Sequence, residues 1–329
     1  MHCELVVPGL FAAAGEARLP ALELLLARGR SRAAASRRLE DWLHEAFGLE
    51  GQPLAAGALT LRAAGRDPGE ACWARADPVH LRLMRDRLIL VPGAALSISG
   101  DEAAALCEAL SRHFPALAFE PLEPARWCAR LSENFSSSSI STDHPLDVAG
   151  REVGLAMPAG VHRLLNEAQM LLHAHPVNEA REARGEPAVN SLWLWGAGRA
   201  PRVPASAWRS VSAEDPLALG LASAAAARSR GLPASAQAWL ESAPEDGRHL
   251  LVLDALRAPL ALSQQAESRA LAEALERDWF APLLAALRSG RVGMVTVHVP
   301  DAAERLSFET IRGDLRRFWR RPKAPERYA

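Results

Sequence analysis

The chain has 329 residues, enough to bury a large core in one or two domains. Its composition, 49% apolar and 23% charged, excludes a mainly disordered chain. A net charge of −1 supplies no global field toward nucleic acid or an anionic membrane. Leu5-Val6-Val7 reads as a short buried strand stopped by Pro8-Gly9. Ala21 to Ala27 is helical in composition with Gly29 as its stop, and Arg37 to Phe47 follows as a helix with Leu39, Trp42, Leu43 and Phe47 on one face. From Gly48 to Gly69 the periodicity fades.

The rhythm then changes. Val79 to Leu83 and Arg87 to Val91 read as strands, and Asp101 to Phe114 as a helix stopped by Pro115. Ala116 to Glu120 and Trp127 to Leu131 read as strands again. This ββαββ run predicts a small inserted subdomain over residues 66–150, closed by a polar connector, Ser132 to Thr142, with four consecutive serines at 136–139.

A strong amphipathic helix follows, with Val161, Leu164, Leu165, Ala168, Leu171, Leu172 and His175 at helical spacing before Pro176. Asn178 is placed to cap a short helix ending at Gly185. Leu192 to Trp195 reads as a buried strand opening into a glycine turn, Gly196-Ala197-Gly198-Arg199. Ala213 to Arg230 reads as helix, Leu250 to Leu253 as strand, Glu267 to Arg288 as one long helix and Val292 to Val299 as strand. The alternation predicts an α/β fold with a mostly parallel central sheet, its strands near Leu5, Leu192, Leu251 and Val295. The domains expected are a discontinuous core of 1–65 with 151–329, and the 66–150 insert.

Cys3, Cys72, Cys107 and Cys128 form no C-x-x-C pair, which argues against a zinc site or a disulfide framework. No run approaches the ~18 apolar residues of a membrane helix. The N-terminal MHCELVVPGLF lacks a basic leader region. A soluble, cytoplasmic protein is expected, with no membrane partner.

Gly196-x-Gly198 is not a dinucleotide fingerprint, because Pro201 occupies the third glycine position. A strand that ends in a glycine turn still marks where α/β sheets bind ligands, so Arg199 either faces an anion or decorates a plain turn. His173 and His175 point to different helix faces and do not make an i,i+4 metal pair. The tail from Arg312 to Lys323 is basic, with Arg316, Arg317, Arg320 and Arg321 around Phe318 and Trp319. One such run on a neutral protein reads as a solvated end, and nucleic acid is not the expected partner.

The stretch LLNEAQMLLHAHPVNEAREARGEPAVNSLWLWGAGRAP, from Leu164 to Pro201, resembles a central segment of the archaeal-type cofactor-independent phosphoglycerate mutases of the alkaline phosphatase superfamily. There a helix ends in H-P-V-N-x-x-R, followed by a P-A-N strand and an R-G-x-G turn. His175, Pro176, Val177, Asn178 and Arg181 match, as do Pro187, Ala188, Asn190, Gly196 and Gly198. Trp195 stands where that pattern carries arginine. Ser141-Thr142-Asp143-His144-Pro145 with Gly150 resembles the passage just upstream. The whole chain, including ADPVHL at Ala76 to Leu81, resembles a bacterial group of phosphoglycerate mutase-like or RpfE-type regulatory proteins.

The resemblance implies an alkaline phosphatase-like core and ligand-binding candidates at His175, Asn178, Arg181, Asn190, Gly196, Gly198 and Arg199. It also implies what is missing. Mutases of this type hold two divalent metals with Asp, His and Ser side chains and use a phosphorylated serine. Their first Asp-Gly pair falls on Pro8-Gly9, and their D-x-x-G-H motif on Asp254-Ala255-Leu256-Arg257-Ala258. Their late Asp-His pair falls on Val297-His298, leaving His298 a lone remnant, and their D-R-R-A-G-R element on Val91 to Ala94. The nucleophile loop has no counterpart. A two-metal site neutralises charge on a phosphoryl group through several oxygen ligands, which apolar replacements cannot supply. The resemblance thus implies no metal, no cofactor and a catalytically inactive, regulatory protein that binds an anionic metabolite or a protein partner; the alternative is an enzyme of altered chemistry on a phosphorylated small molecule.

Overall fold

The computed structural model describes residues 1–329 apart from 16, 35–37, 85–86, 133–139, 151–158, 243–245, 301–304 and 329. In chain order it forms β1 (His2–Val6), α1 (Leu10–Ala14), α2 (Pro20–Arg28), β2 (Arg30–Ala34), α3 (Leu39–Ala46) and α4 (Ala56–Ala63). Then come β3 (Cys72–Met84), β4 (Arg87–Pro92), α5 (Gly100–His113), β5 (Ala118–Glu123), β6 (Arg126–Leu131), α6 (Pro145–Val148), α7 (Ala159–His173), α8 (Pro176–Ala183) and β7 (Ser191–Gly198). The last part carries β8 (Ser210–Ser212), α9 (Pro216–Ala224), β9 (Arg228–Arg230), α10 (Ala236–Glu241), β10 (Arg248–Val252), α11 (Arg257–Ala261), α12 (Gln265–Leu275), α13 (Ala281–Ser289), β11 (Met294–Pro300) and β12 (Arg305–Ile311). Two compact units result: Met1–Glu50 with Val203–Ala329, and Gly51–Arg202. The chain therefore divides at Gly51 and Arg202 rather than near 66 and 150.

The first unit is built on a sheet of order β2-β12-β11-β1-β10-β8-β9. β1 is parallel to both β10 and β11, and β8 and β9 continue the parallel run. β12 is antiparallel to β11, and β2 to β12. The alternation along β1 explains the layers. Cys3, Leu5 and Val7 enter a core with Leu10, Leu22, Leu25, Trp239, Phe280 and Leu283, from helices on one face. His2 and Glu4 point to the other face, where Trp42 of α3 packs on His298. The architecture is mixed α/β, a central and mostly parallel sheet flanked by helices.

The second unit has its own five-stranded sheet. β3 is its hub, pairing antiparallel with β4, β6 and β7. Leu192 and Leu194 enter its core beside Leu106, Leu110, Leu165 and Leu172. Here the expected topology is corrected: the Leu192 to Trp195 strand belongs to this sheet and not to the central one. A continuous apolar run says that both faces are covered but not which sheet covers them.

Three element boundaries also differ from the sequence expectation. The 267–288 helix is interrupted by a π-helical stretch, Glu276–Phe280. Pro282, just beyond it, has no N–H to donate, and a π turn accommodates that loss. The 213–230 helix shrinks to α9, capped by Asp215 and followed by Ala226 at φ 54°. α5 starts from Ser99, which forms a capping box with Glu102. The serines at 136–139 lie outside the described residues.

Candidate functional site

The residues singled out around the mutase-like segment are all engaged by their own unit. His175, not Asn178, is the N-cap of α8: its Nδ1 accepts from the Val177 N–H at 3.2 Å. α7 ends at His173, so His175 leaves the helix stripe on which its spacing placed it. Asn178 is buried. Its Nδ2 donates to the carbonyls of Leu172 (2.8 Å) and Val189 (2.9 Å), while its Oδ1 accepts from Val189 (2.8 Å). Arg181 is fully buried and donates to the carbonyls of Pro187 (3.0 Å) and Leu96 and to Glu102 Oε2 (2.9 Å). Asn190 clamps Leu81, accepting from its N–H at 2.7 Å and donating to its carbonyl at 2.9 Å.

Gly196 and Gly198 are not a turn after the strand; they lie within β7. They let α4 approach: a Cβ on Gly196, at φ +57°, would fall 2.5 Å from Ala56 Cβ, and one on Gly198 2.9 Å from Ala55 Cβ. Arg199 is exposed and donates to the Glu70 carbonyl. The arginine absent at Trp195 is answered by Arg75, whose guanidinium lies 5.3 Å from the Trp195 ring centroid and pairs with Asp77 at 2.5 Å. The Trp195 indole N–H donates to the same carboxylate at 2.8 Å. A cleft of about 330 Å³ opens beside Asn190, lined by Leu81, Leu88, Leu165 and Trp193 with His162 and His173.

The C-terminal ends of β1, β10 and β11 are where the resemblance puts two metals. β1 runs out into Val7-Pro8-Gly9 and β10 into Leu253-Asp254. Among the described residues no group of three or more His, Cys, Asp or Glu side chains is arranged to hold a metal ion. A two-metal centre does not fit this donor set.

His298 is not isolated. It sits on β11 at the floor of a cleft of about 380 Å³ on the face of the central sheet, wholly within the first unit. Its Nδ1 is 2.8 Å from Ser307 Oγ and its Nε2 is 3.3 Å from Glu4 Oε2. A carboxylate can only accept, so Nε2 carries the proton toward Glu4 and Nδ1 accepts from the Ser307 hydroxyl. Glu4 is buried, yet it also receives Arg248 Nε at 2.7 Å and the Trp208 indole N–H at 3.2 Å. Burial pushes this carboxyl up, but hydrogen bonds from His298 and Arg248 and the Arg248 charge outweigh it and hold it at about 2. His2 Nε2 lies 2.8 Å from Thr296 Oγ1, and burial lowers the His2 pKa. Arg30, Arg32 and Glu309 line the mouth.

Sequence reasoning missed this cluster, although its signals were there. Glu4 is the one charge in an apolar strand, Arg30 and Arg32 alternate, and Leu306, Phe308 and Thr310 alternate with Ser307 and Glu309.

No family model matches the chain. It is 26% identical over 209 residues to the 2,3-bisphosphoglycerate-independent phosphoglycerate mutase of Methanosarcina mazei, covering 57% of this chain and 50% of that one. With the corresponding enzyme of Methanosarcina barkeri it is 30% identical over 112 residues, 32% of this chain and 28% of that one. The chain thus matches half or less of the length of these curated relatives, and the relationship to phosphoglycerate mutases is distant. Among solved structures, the PH0037 protein of Pyrococcus horikoshii shares the fold, with a TM-score of 0.59 at 15% identity over 94% of this chain and 87% of the other.

Proposed function

We propose that this chain is a degenerate, phosphoglycerate mutase-like protein of the RpfE-type regulatory group. In this reading it keeps an alkaline phosphatase-like core, performs no two-metal phosphoryl transfer, and works in the cytoplasm as a binding or regulatory module. The observation that carries it is the sheet edge at Val7-Pro8-Gly9 and Leu253-Asp254, where a two-metal site needs several oxygen and nitrogen ligands and Asp254 is the one carboxylate in these two stretches. No helix of the described residues is long and apolar enough to cross a membrane, which agrees with a soluble partner or metabolite as ligand. The test is a mutase assay with Mn, Mg or Co added in turn. No turnover is expected; activity that survives repurification overturns the reading.

A second reading is favoured by the Ser307–His298–Glu4 chain of hydrogen bonds. A hydroxyl, an imidazole and a buried carboxylate in a cleft are the parts of a nucleophilic hydrolase. Under this reading Ser307→Ala abolishes hydrolysis of a phosphorylated or other anionic substrate.

A further inference from the structure

The cleft on the central sheet combines features that the mutase-like segment lacks. Arg30 and Arg32 project from β2, the edge strand, at alternate positions and therefore on one face, roughly 7 Å apart along the strand. The register places Arg32 opposite Ser307 and Arg30 opposite Glu309. Both arginines are exposed, and among the described residues neither has an ion pair with a carboxylate. Arg248, by contrast, is already paired with Glu4.

An anion entering this cleft meets Glu4 beneath it, which at first sight forbids binding. Glu4, however, is compensated from within: Arg248, the Trp208 indole and His298 occupy its two oxygens. What remains facing the opening is the charge of Arg30 and Arg32 against that of Glu309, together with the hydroxyl of Thr296; the Ser307 proton is engaged by His298. These donors come from β2 and β11, the strands on either side of β12. One guanidinium fork satisfies a carboxylate, whereas a tetrahedral phosphate with three free oxygens can engage several such donors at once. A volume of about 380 Å³ suits a small molecule and not a polymer.

We propose that this cleft is a binding site for a small phosphate monoester, anchored by Arg30 and Arg32 and oriented by the hydroxyl of Thr296. The proposal deepens the binding-module reading by naming its ligand class and its location, and it rests on that reading only in holding the ligand without turnover. The phosphate group lies over β11 and β12, away from the strand ends where the resemblance implied metals.

The experiment uses the whole chain with inorganic phosphate and glycerol 2-phosphate as probes and potassium chloride at matched ionic strength as control. Binding is read by calorimetry and by melting temperature, and phosphate release is followed in the same samples. The wild type is expected to bind glycerol 2-phosphate more tightly than chloride effects explain. Arg32→Ala is expected to weaken binding at least tenfold, and Arg30→Ala with Arg32→Ala to abolish it. Both changes lie at exposed positions and should leave the unliganded melting temperature unchanged. Arg32→Lys should recover part of the affinity. Binding without phosphate release supports both the site and the module reading. Binding with release that Ser307→Ala removes keeps the site and overturns the module reading. No binding by the wild type, or binding unchanged in the double variant, overturns the site, while the mutase assay continues to judge the module reading separately.

Discussion

Arg181 and Glu102, 79 residues apart in sequence, meet at 2.9 Å, and the same carboxylate closes the capping box of α5 with Ser99. One buried guanidinium therefore ties α8 to the start of α5, with further bonds to Pro187 and Leu96. Removing one partner of a buried pair typically costs about 3–5 kcal/mol. Glu102 stays partly solvated and retains Arg184 at 2.8 Å, so the low end applies. Arg181→Ala should lower stability by about 3 kcal/mol in chemical denaturation. Asn178→Ala, which orphans backbone groups of Leu172 and Val189, should cost a comparable amount. A melting temperature unchanged in both would show that these residues serve something other than the fold.

Gly196→Ala should destabilise the second unit by about 2–4 kcal/mol, combining a left-handed backbone with overpacking. The added methyl would fall 2.5 Å from Ala56 Cβ. Adding Ala56→Gly should restore part of the loss, because it removes the nearest obstacle but not the positive φ. Urea denaturation of the two variants checks both steps, and no recovery in the double variant would assign the whole cost to the backbone.

Glu4 makes the first unit sensitive to acid. Its carboxyl is lowered from an ordinary 4.5 to about 2, so the stabilisation is complete above pH 4.5 and is lost as pH falls toward 2. The shift corresponds to roughly 3 kcal/mol. Glu4→Gln keeps the shape and removes the charge, and its stability should change less than that of the wild type between pH 4.5 and 2. Parallel profiles for the two proteins would sink the idea.

Thiol chemistry should single out Cys72. Cys3, Cys107 and Cys128 are buried, and burial pushes their thiols up, that of Cys128 to about 12. Cys72 is only half-buried, although burial raises it as well. With a disulfide reagent one thiol should react before unfolding and three only after it. Cys72→Ser should delete the early phase; a rapid phase that persists would overturn the assignment.

Metal content offers a cheap check on the sheet edge. Protein dialysed against Mn or Zn and then against buffer should retain less than one equivalent by elemental analysis. A chelator should leave its melting temperature unchanged. Stoichiometric retention would restore the metal-dependent reading.

The main parallel strands and α5 were legible because their apolar residues repeat at the period of the element. β7 was found as a strand but assigned to the wrong sheet, since pairing partners are chosen by tertiary packing that a run such as Leu192 to Trp195 does not encode. The role of Asn178 was misread for a local reason: an asparagine at a helix start looks like a cap, and only the structure shows His175 in that place and Asn178 turned inward. The cleft stayed hidden because its residues come from seven separate segments. Glu4 and His298 stand 294 positions apart and meet only once β1 lies beside β11.

That separation fixes an order of events during synthesis. β3 and β7 can pair as soon as the second unit has emerged, whereas β1 has neither neighbour until β10 and β11 are made. At about 5–20 residues per second, the first strand waits on the order of 15–60 s with both edges bare. An apolar strand left unpaired that long invites sticking to other nascent chains. A charge set into it interrupts the apolar run. Glu4 is the charge that interrupts this run, and it becomes a lining residue of the cleft once the sheet closes.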